Sequence, residues 1–433
     1  MAGEKFRVGL RARLAHLAKT GEVPVFAVVG GGYRSAVRQL RLVEGMHIVA
    51  SPRHAAVLLI AGDLTEAATE SVIRVHDQMA GPRVTVGWGH SEPTVVPVEA
   101  NVTGDVSDIA AVIRRQFHDV VVGAIPPEPP LLPDVDAVEW RGVGPYGHGG
   151  TGMTGGTPYG RPLPLRAPDR DGLELDQLPV VVGPWFSGFP PGLALRVSLQ
   201  GDVVQDAEVV SAGLVSAGPS GVFARALHEP MPIRDLEMAR ARHHLEWMAG
   251  ALRISGVDRL AVRADRLAPA IGPGDVDSVE RLMAAVRRSL LRPMALRGVG
   301  VLSPDIEIAG LGPVARAAGV SDDQRTSEQG YRDIDFRPVT HTTGDAWARF
   351  AQRAAEAVQA IHLADRAGDR RAFGNGEVEA PDGLHRMGEP RPADILISML
   401  KTVLSGMEWG DLVATVQSLD IDMESVSVGN AAV

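Results

Sequence analysis

"SPRHAAVLLIAGDLTEAATESVIRVHDQMAGPRVTVGWG", residues 51–89, decides the fold class of the first part of this 433-residue chain. It opens and closes on short apolar runs, "AAVLLIAG" (55–62) and "RVTVGWG" (83–89), each ended by glycine. Thr65–Met79 between them reads as a helix. Continuous apolar runs separated by helices indicate a parallel sheet buried on both faces, because a strand with one wet face alternates instead. Upstream, "VPVFAVVGGG" (23–32) and "HIVAS" (47–51) read as strands; downstream, "DVVVGAI" (119–125) does too, after a helix over Asp105–Phe117. Residues 1–130 are expected to form an α/β domain of flavodoxin-like type on a parallel sheet.

Composition narrows the chemistry. A net charge of −10 argues against a nucleic-acid or anionic-membrane partner. The chain has no cysteine, which excludes disulfides, thiolate nucleophiles, zinc–thiolate sites and ordinary iron–sulfur ligation. No stretch approaches the roughly 18 apolar residues of a membrane span. "MAGEKFRVGLRARLAHLAKTG" lacks the apolar core of a signal peptide, so a cytoplasmic protein is expected.

Residues 126–180 are dense in proline and glycine, and 131–180 reads as a linker or surface-hugging segment. "GLALRVSLQGDVVQDAEVV" (192–210) then alternates across "QGD", the pattern of an antiparallel hairpin. Helices follow. "DSVERLMAAVRRSLL" (277–291) places Val279, Leu282, Met283, Val286 and Leu290 on one face, with Asp277 and Glu280 at capping-box spacing. "AWARFAQRAAEAVQAIHLADR" (346–366) repeats the pattern, and a last helix covers about 392–405. Residues 181–433 are thus expected to form an α+β domain, a hairpin leading into a mainly helical bundle.

Several motifs invite a site and fall short of one. "VVGGGYRS" (28–35) approximates a dinucleotide fingerprint, but the next strand ends on Ser51 rather than an acid for the ribose, which favours a plain tight turn. "HGGTGMTGGTPYGRP" (148–162) resembles an oxyanion loop, yet "GPSGV" (218–222) offers no nucleophile elbow, and no G-K-[ST] ending makes it a phosphate cradle. His243 and His244 are adjacent on a helix and point about 100° apart, so they cannot share a metal and read as surface or partner-contact residues. Asp420, Asp422 and Glu424 in "SLDIDMES" read as a solvated acidic tail.

Two stretches resemble two subunits of one enzyme superfamily. Residues 51–89 resemble the cluster-bearing small subunit of respiratory complex I and [NiFe] hydrogenases through Ser51, Pro52, Arg53, Gly62, Thr65, Asp77, Gln78, Met79, Pro82 and Gly87. "VPVEANV" (96–102) and "VGAIPPEPP" (122–130) extend that match. "GPWFSGFPPGLALRVSLQGDVV" (183–204), "HHLEWMAGALRISG" (243–256), "GLGPVARAAGVSDDQR" (310–325) and "GDAWARFAQRAAE" (344–356) resemble the large subunit of the same assemblies, with Gly344, Asp345, Arg349, Arg353 and Glu356 in register.

The departures are chemical. Where that family carries cluster cysteines, this chain has Gly30, Gly31, Gly89, and Ala124 or Ile125, none of which can ligate iron. The position of a quinone-facing histidine falls within Phe186–Pro190, that of a quinone-site tyrosine near Glu237, and that of a nickel cysteine at Asp422. A carboxylate is too hard a ligand for low-valent nickel–iron. The resemblance therefore implies a fusion of two modules without catalytic, cofactor-binding or metal-binding residues, acting as a structural or coupling subunit. Its partners would be other subunits of a complex I-like or hydrogenase-like membrane assembly, through which it would sit peripherally on the inner face. Pro52, Arg53, Gly62, Gly183, Pro184, Arg316, Asp345, Arg349 and Glu356 would build the turns and the interface, the last four as a buried Arg–carboxylate network. The alternative keeps a quinone or small redox-substrate groove between the modules, with Glu237, His243 or Asp422 handling protons. Residues 148–162 then become a seam, in which His148 and Met153 are left to contact a partner.

Overall fold

A computed structural model describes residues 21–426 except 91–95, 99, 135–164, 170–171, 212–220, 290–294, 303–307 and 425. The first unit comprises strands β1 (Val23–Val29), β2 (Met46–Ile48), β3 (Val57–Ala61), β4 (Val84–Trp88) and β5 (Ala100–Val102), with helices α1 (Arg34–Leu40), α2 (Thr69–Gln78) and α3 (Val106–Val122). The strands are all parallel in the order β2-β1-β3-β4-β5, the doubly wound arrangement. Every residue of β3 and β4 is buried, as their unbroken apolar runs require.

One expected strand is a helix end. Residues 119–122 complete α3, because Val120 continues its buried face and Asp105 caps its start, and the helix closes on left-handed Gly123. The fifth strand is Ala100–Val102 instead.

Part of the Pro/Gly-rich segment is ordered sheet. Strands β6 (Arg166–Pro168) and β7 (Glu174–Asp176) form one hairpin, and β8 (Leu178–Val182) joins β9 (Ala194–Gln200) and β10 (Val203–Ser211) in a second sheet of order β10-β9-β8. The β9–β10 hairpin turns at Gly201, φ +65°, where a left-handed residue matches the strand twist. Residues 148–162, with His148 and Met153, lie outside the described residues.

The remaining elements are α4 (Val222–Ala226), β11 (Met231–Pro232), α5 (Ile233–Ile254), α6 (Asp258–Ala270), α7 (Val276–Arg288), α8 (Pro313–Ala317), α9 (Gln329–Arg332), α10 (Ala346–Arg366), β12 (Arg371–Ala372), the β13 (Glu377–Ala380)–β14 (Gly383–Arg386) hairpin, α11 (Pro392–Leu404) and α12 (Trp409–Leu419). Helices α5, α6, α7 and α10 share one apolar core; α11, α12 and the second sheet share another. Asp275 takes the N-cap position of α7, where its carboxylate accepts the Ser278 hydroxyl at 2.8 Å and no backbone N–H, and the Asp277–Glu280 box does not form. No helix among the described residues is long and apolar enough to cross a membrane.

Candidate functional site

The two units meet along α1, the glycine turn before it, and α5. At that turn Gly32 donates its N–H to the Glu424 carboxylate at 3.0 Å, so a carboxylate of the chain itself takes the position a nucleotide phosphate would need. The Ser35 hydroxyl binds Glu246 at 2.5 and 2.7 Å, Arg38 donates to the Glu246 carbonyl at 2.6 Å, and Trp185 donates to Ser71 at 3.2 Å.

Gly89, one of the positions that the resemblance assigns to cluster thiolates, and Gly62, a turn glycine of the same resemblance, lie against one ring, that of Tyr33. A Cβ on Gly62 would meet Tyr33 at 2.7 Å and the Gly31 carbonyl at 2.8 Å, and a Cβ on Gly89 would fall on the Tyr33 hydroxyl. The ring is edge-on to Trp88 at 5.4 Å. Glycine supplies no soft donor and tyrosine fills the space, so an iron–sulfur cluster does not fit here.

Between the units lies a cleft of about 1140 Å³. Phe186–Pro190, onto which the resemblance places the family's quinone-facing histidine, form part of its wall with Trp185, Trp247 and Trp409. Gly183, φ +102°, sets this loop against β9, since a Cβ there would strike the Leu193 carbonyl oxygen. Asp420 reaches the cleft and binds His243 Nε2 at 2.8 Å, with Arg353 at 3.5 Å. Burial works to raise the Asp420 pKa, but His243 and Arg353 outweigh it and hold the carboxyl below the usual range. His243 is raised in turn: burial opposes its charge and Asp420 prevails. Asp422 faces Arg34 at 4.0 Å, and burial lifts its pKa to about 6. Nearby, Asp382 pairs with His385 at 2.9 Å on the β13–β14 hairpin. "SLDIDMES" is therefore not a solvated tail: Asp420, Ile421 and Met423 are buried, because Ile421 and Met423 anchor the segment in the core shared with α11 and α12. Among the described residues no group of His, Asp and Glu could hold a metal ion.

Behind the cleft runs a buried ionic network. Arg316 grips Glu356 with two bonds of 2.8 and 3.0 Å, and reaches Glu379 at 2.8 Å and Asp323 at 2.9 Å. Arg325 binds Asp323 at 2.8 and 3.0 Å and Glu237 at 3.2 Å. Tyr331 donates to Glu237 at 2.7 Å, and Arg240 lies 3.4 Å from the same carboxylate. Three guanidiniums thus face Glu237, Glu356, Glu379 and Asp323, and Glu379 is the acid that burial and then Asp323 push up. Burial would also raise Glu356, but Arg316 and His244 pull it well below the usual range.

The network expected from sequence is only half this one. Arg316 and Glu356 are paired. Arg349 instead donates to the carbonyls of Gly300 (2.9 Å) and Gly344 (2.7 Å) and to the Ser418 hydroxyl (2.8 Å), while Asp345 caps α10 through Ala348 N–H at 2.7 Å. Glu237 lies in the network, away from the cleft-lining residues. His244 is fully buried, 3.4 Å from Glu356, because α5 is packed on several sides. Arg53 is exposed and Pro52 half-buried, so the short turn they share is not buried at the interface. Sequence reasoning missed Tyr33, the Asp382–His385 pair and α12; the apolar spacing of Leu412, Val416 and Leu419 could have revealed the helix.

The fold and the network define an α/β unit docked on a mixed unit of hairpins and helices built round buried ion pairs. The family described as respiratory-chain NADH dehydrogenase, 49 Kd subunit, matches residues 273–386, and similarity to its relatives supports a 49 kDa-like large-subunit module. An NADH-quinone oxidoreductase subunit of Chloroherpeton thalassium is 40% identical over 91 residues, 20% of this chain and 20% of that one. An F(420)H(2) dehydrogenase subunit of Methanosarcina mazei is 44% identical over 71 residues, 15% of this chain and 19% of that one. The matched segments span about a fifth of these relatives. A chain of the membrane-bound sulfane sulfur reductase, an archaeal respiratory membrane complex, superposes with a TM-score of 0.42 at 19% identity, covering 58% of this chain and 98% of that one.

Proposed function

We propose that this chain is a subunit of a complex I-like or hydrogenase-like membrane assembly, with a structural or coupling role rather than a redox one. In this reading a flavodoxin-like, small-subunit-like module (1–130) is fused through 131–180 to a large-subunit-like module (181–433). The observation that carries it is Tyr33, which fills the space at Gly89, one of the positions where a cluster would need a thiolate. The similarity to subunits of two respiratory dehydrogenases supports partner subunits, through which the chain would reach the inner face of the membrane. Tagged protein drawn from native membranes should bring integral membrane subunits with it and contain no stoichiometric iron or nickel. Stoichiometric iron or nickel, or the absence of any membrane subunit, would overturn this reading.

The cleft favours a second reading, a retained groove for a quinone or another small redox substrate, with Asp420–His243 and Asp422 as its proton-handling groups. Saturable quenching of tryptophan fluorescence by a quinone supports it, and no quenching at solubility-limited quinone rules it out.

A further inference from the structure

The wall that the first unit gives to the cleft sets three arginines among apolar side chains. Arg34, Arg38 and Arg41 line it, spaced three and four residues apart on one face of α1 and its last turn, and Arg253 joins them from the end of α5. The facing acids are mostly engaged. Asp265 is shared between Arg38, at 3.8 Å, and Arg253. Glu246 holds the Ser35 hydroxyl, Asp422 faces Arg34, and Asp420 is taken by His243 and Arg353. Asp411 lines the cleft from the first turn of α12. Arg41 has one neutral partner, the Ile48 carbonyl at 3.3 Å. Burial, then the charges of Arg253 and Arg38, depress its pKa to about 10, so it remains protonated at neutral pH among like charges. A second wall is aromatic: the rings of Phe186, Phe189 and Trp409 stand 5.1–6.4 Å apart. At about 1140 Å³ the cleft exceeds the usual range of about 300–1,000 Å³ for small-ligand pockets, which leaves room for an elongated molecule.

We infer that this cleft binds an amphipathic anion, an acyl chain ending in a carboxylate or phosphate, with its head on Arg41 beside Arg38 and Arg253 and its chain along Phe186, Phe189 and Trp409. A guanidinium fork matches either oxyanion, and among the described residues Arg41 makes no ion pair of its own, because the nearby Asp265 is held by Arg38 and Arg253, so it gains most from one. A neutral head would leave three guanidiniums with the single shared carboxylate of Asp265 to balance them. The inference goes beyond the proposed place in an assembly and stands independently of it.

The test titrates oleate, below its micellar concentration, into the purified full chain and follows tryptophan fluorescence. Oleyl alcohol and a neutral quinone of similar chain length are the controls. Oleate should bind saturably and about tenfold more tightly than oleyl alcohol, with a preference that shrinks as salt rises. Arg41→Gln should abolish the preference, and Arg41→Lys should keep most of it. Far-UV circular dichroism checks that both variants fold, and the wild-type comparison of oleate with oleyl alcohol decides the matter if one does not. Phosphatidylglycerol and phosphatidylcholine vesicles separate the two sources of the anion. Flotation with the former alone, lost in Arg41→Gln, assigns a phospholipid head; oleate binding without flotation assigns a free fatty acid. Equal binding of oleate and oleyl alcohol overturns the inference, as does an oleate preference that survives Arg41→Gln. Quinone binding with no preference for oleate upholds the redox-groove reading while overturning this one.

Discussion

At Gly89 the main chain adopts φ +74°, and a Cβ there would fall on the Tyr33 hydroxyl. Two costs therefore meet at one residue, a left-handed backbone and a steric clash. Gly89→Ala should destabilise the protein by about 2 kcal/mol or more in urea unfolding. Adding Tyr33→Ala should relieve the clash but not the backbone strain, giving a coupling of about 1 kcal/mol in a double-mutant cycle; strict additivity would show that the ring does not fill this space. Sequence alone reveals that Gly30, Gly31 and Gly89 cannot bind iron, but not what occupies the space, because Tyr33 reaches it across two separate βα turns. The same contrast separates the arginines. Arg53 and Arg316 both lie in motifs of the resemblance, yet Arg53 is exposed and Arg316 is buried against three carboxylates. Arg316→Ala should cost about 3–5 kcal/mol, since it strands buried charge, whereas Arg53→Ala should stay within about 0.5 kcal/mol. Comparable losses in the two would mean the network is not where the stability lies.

Helix α5 shows how one element carries ionisable groups into a core. Glu237 and Arg240 lie in the ionic network, His243 reaches Asp420, and His244 turns to Glu356. Burial keeps His244 neutral and lowers its pKa to about 4, despite the pull of Glu356. The sign follows from proton counting: the unfolded chain takes up a proton near pH 6.5 and the folded chain only near 4, so this residue lowers stability as pH falls between them. The loss amounts to about 3 kcal/mol once pH is below both values. The stability difference between wild type and His244→Asn, measured by urea unfolding from pH 7 to 4, should therefore shift in favour of the variant on acidification. A difference constant with pH would refute the assignment. The helix itself was legible from "HHLEWMAGALRISG". The burial of His244 was not, since nothing local tells that α6, α10 and α12 cover several of its faces. The strand expected at 119–125 failed for a related reason: valines serve a buried helix face as well as a strand, and only the cap at Asp105 and the stop at Gly123 decide between them.

Across the whole molecule, polar contacts tie the sheet to the helices: Gly32 to Glu424, Ser35 and Arg38 to Glu246, Arg38 to Asp265, and Trp185 to Ser71. The sequence suggested two modules through its change from strand–helix alternation to helices. It could not suggest how they dock, because these partners lie up to 392 positions apart. Charged hydrogen bonds of this kind contribute about 1.5–3 kcal/mol each when they are partly buried. If they couple the two units, wild-type protein should unfold in one calorimetric transition. The double variant Arg38→Ala/Glu246→Ala removes the charged contacts that α1 makes with α5 and should split that transition into two. The sheet, whose core between β1, β3, β4, α1 and α3 is its own while Trp185 joins the opposite face, would melt separately from the helical core of α5 and α10. A single transition merely shifted to lower temperature would mean that apolar contacts, not this polar seam, make the molecule one cooperative unit.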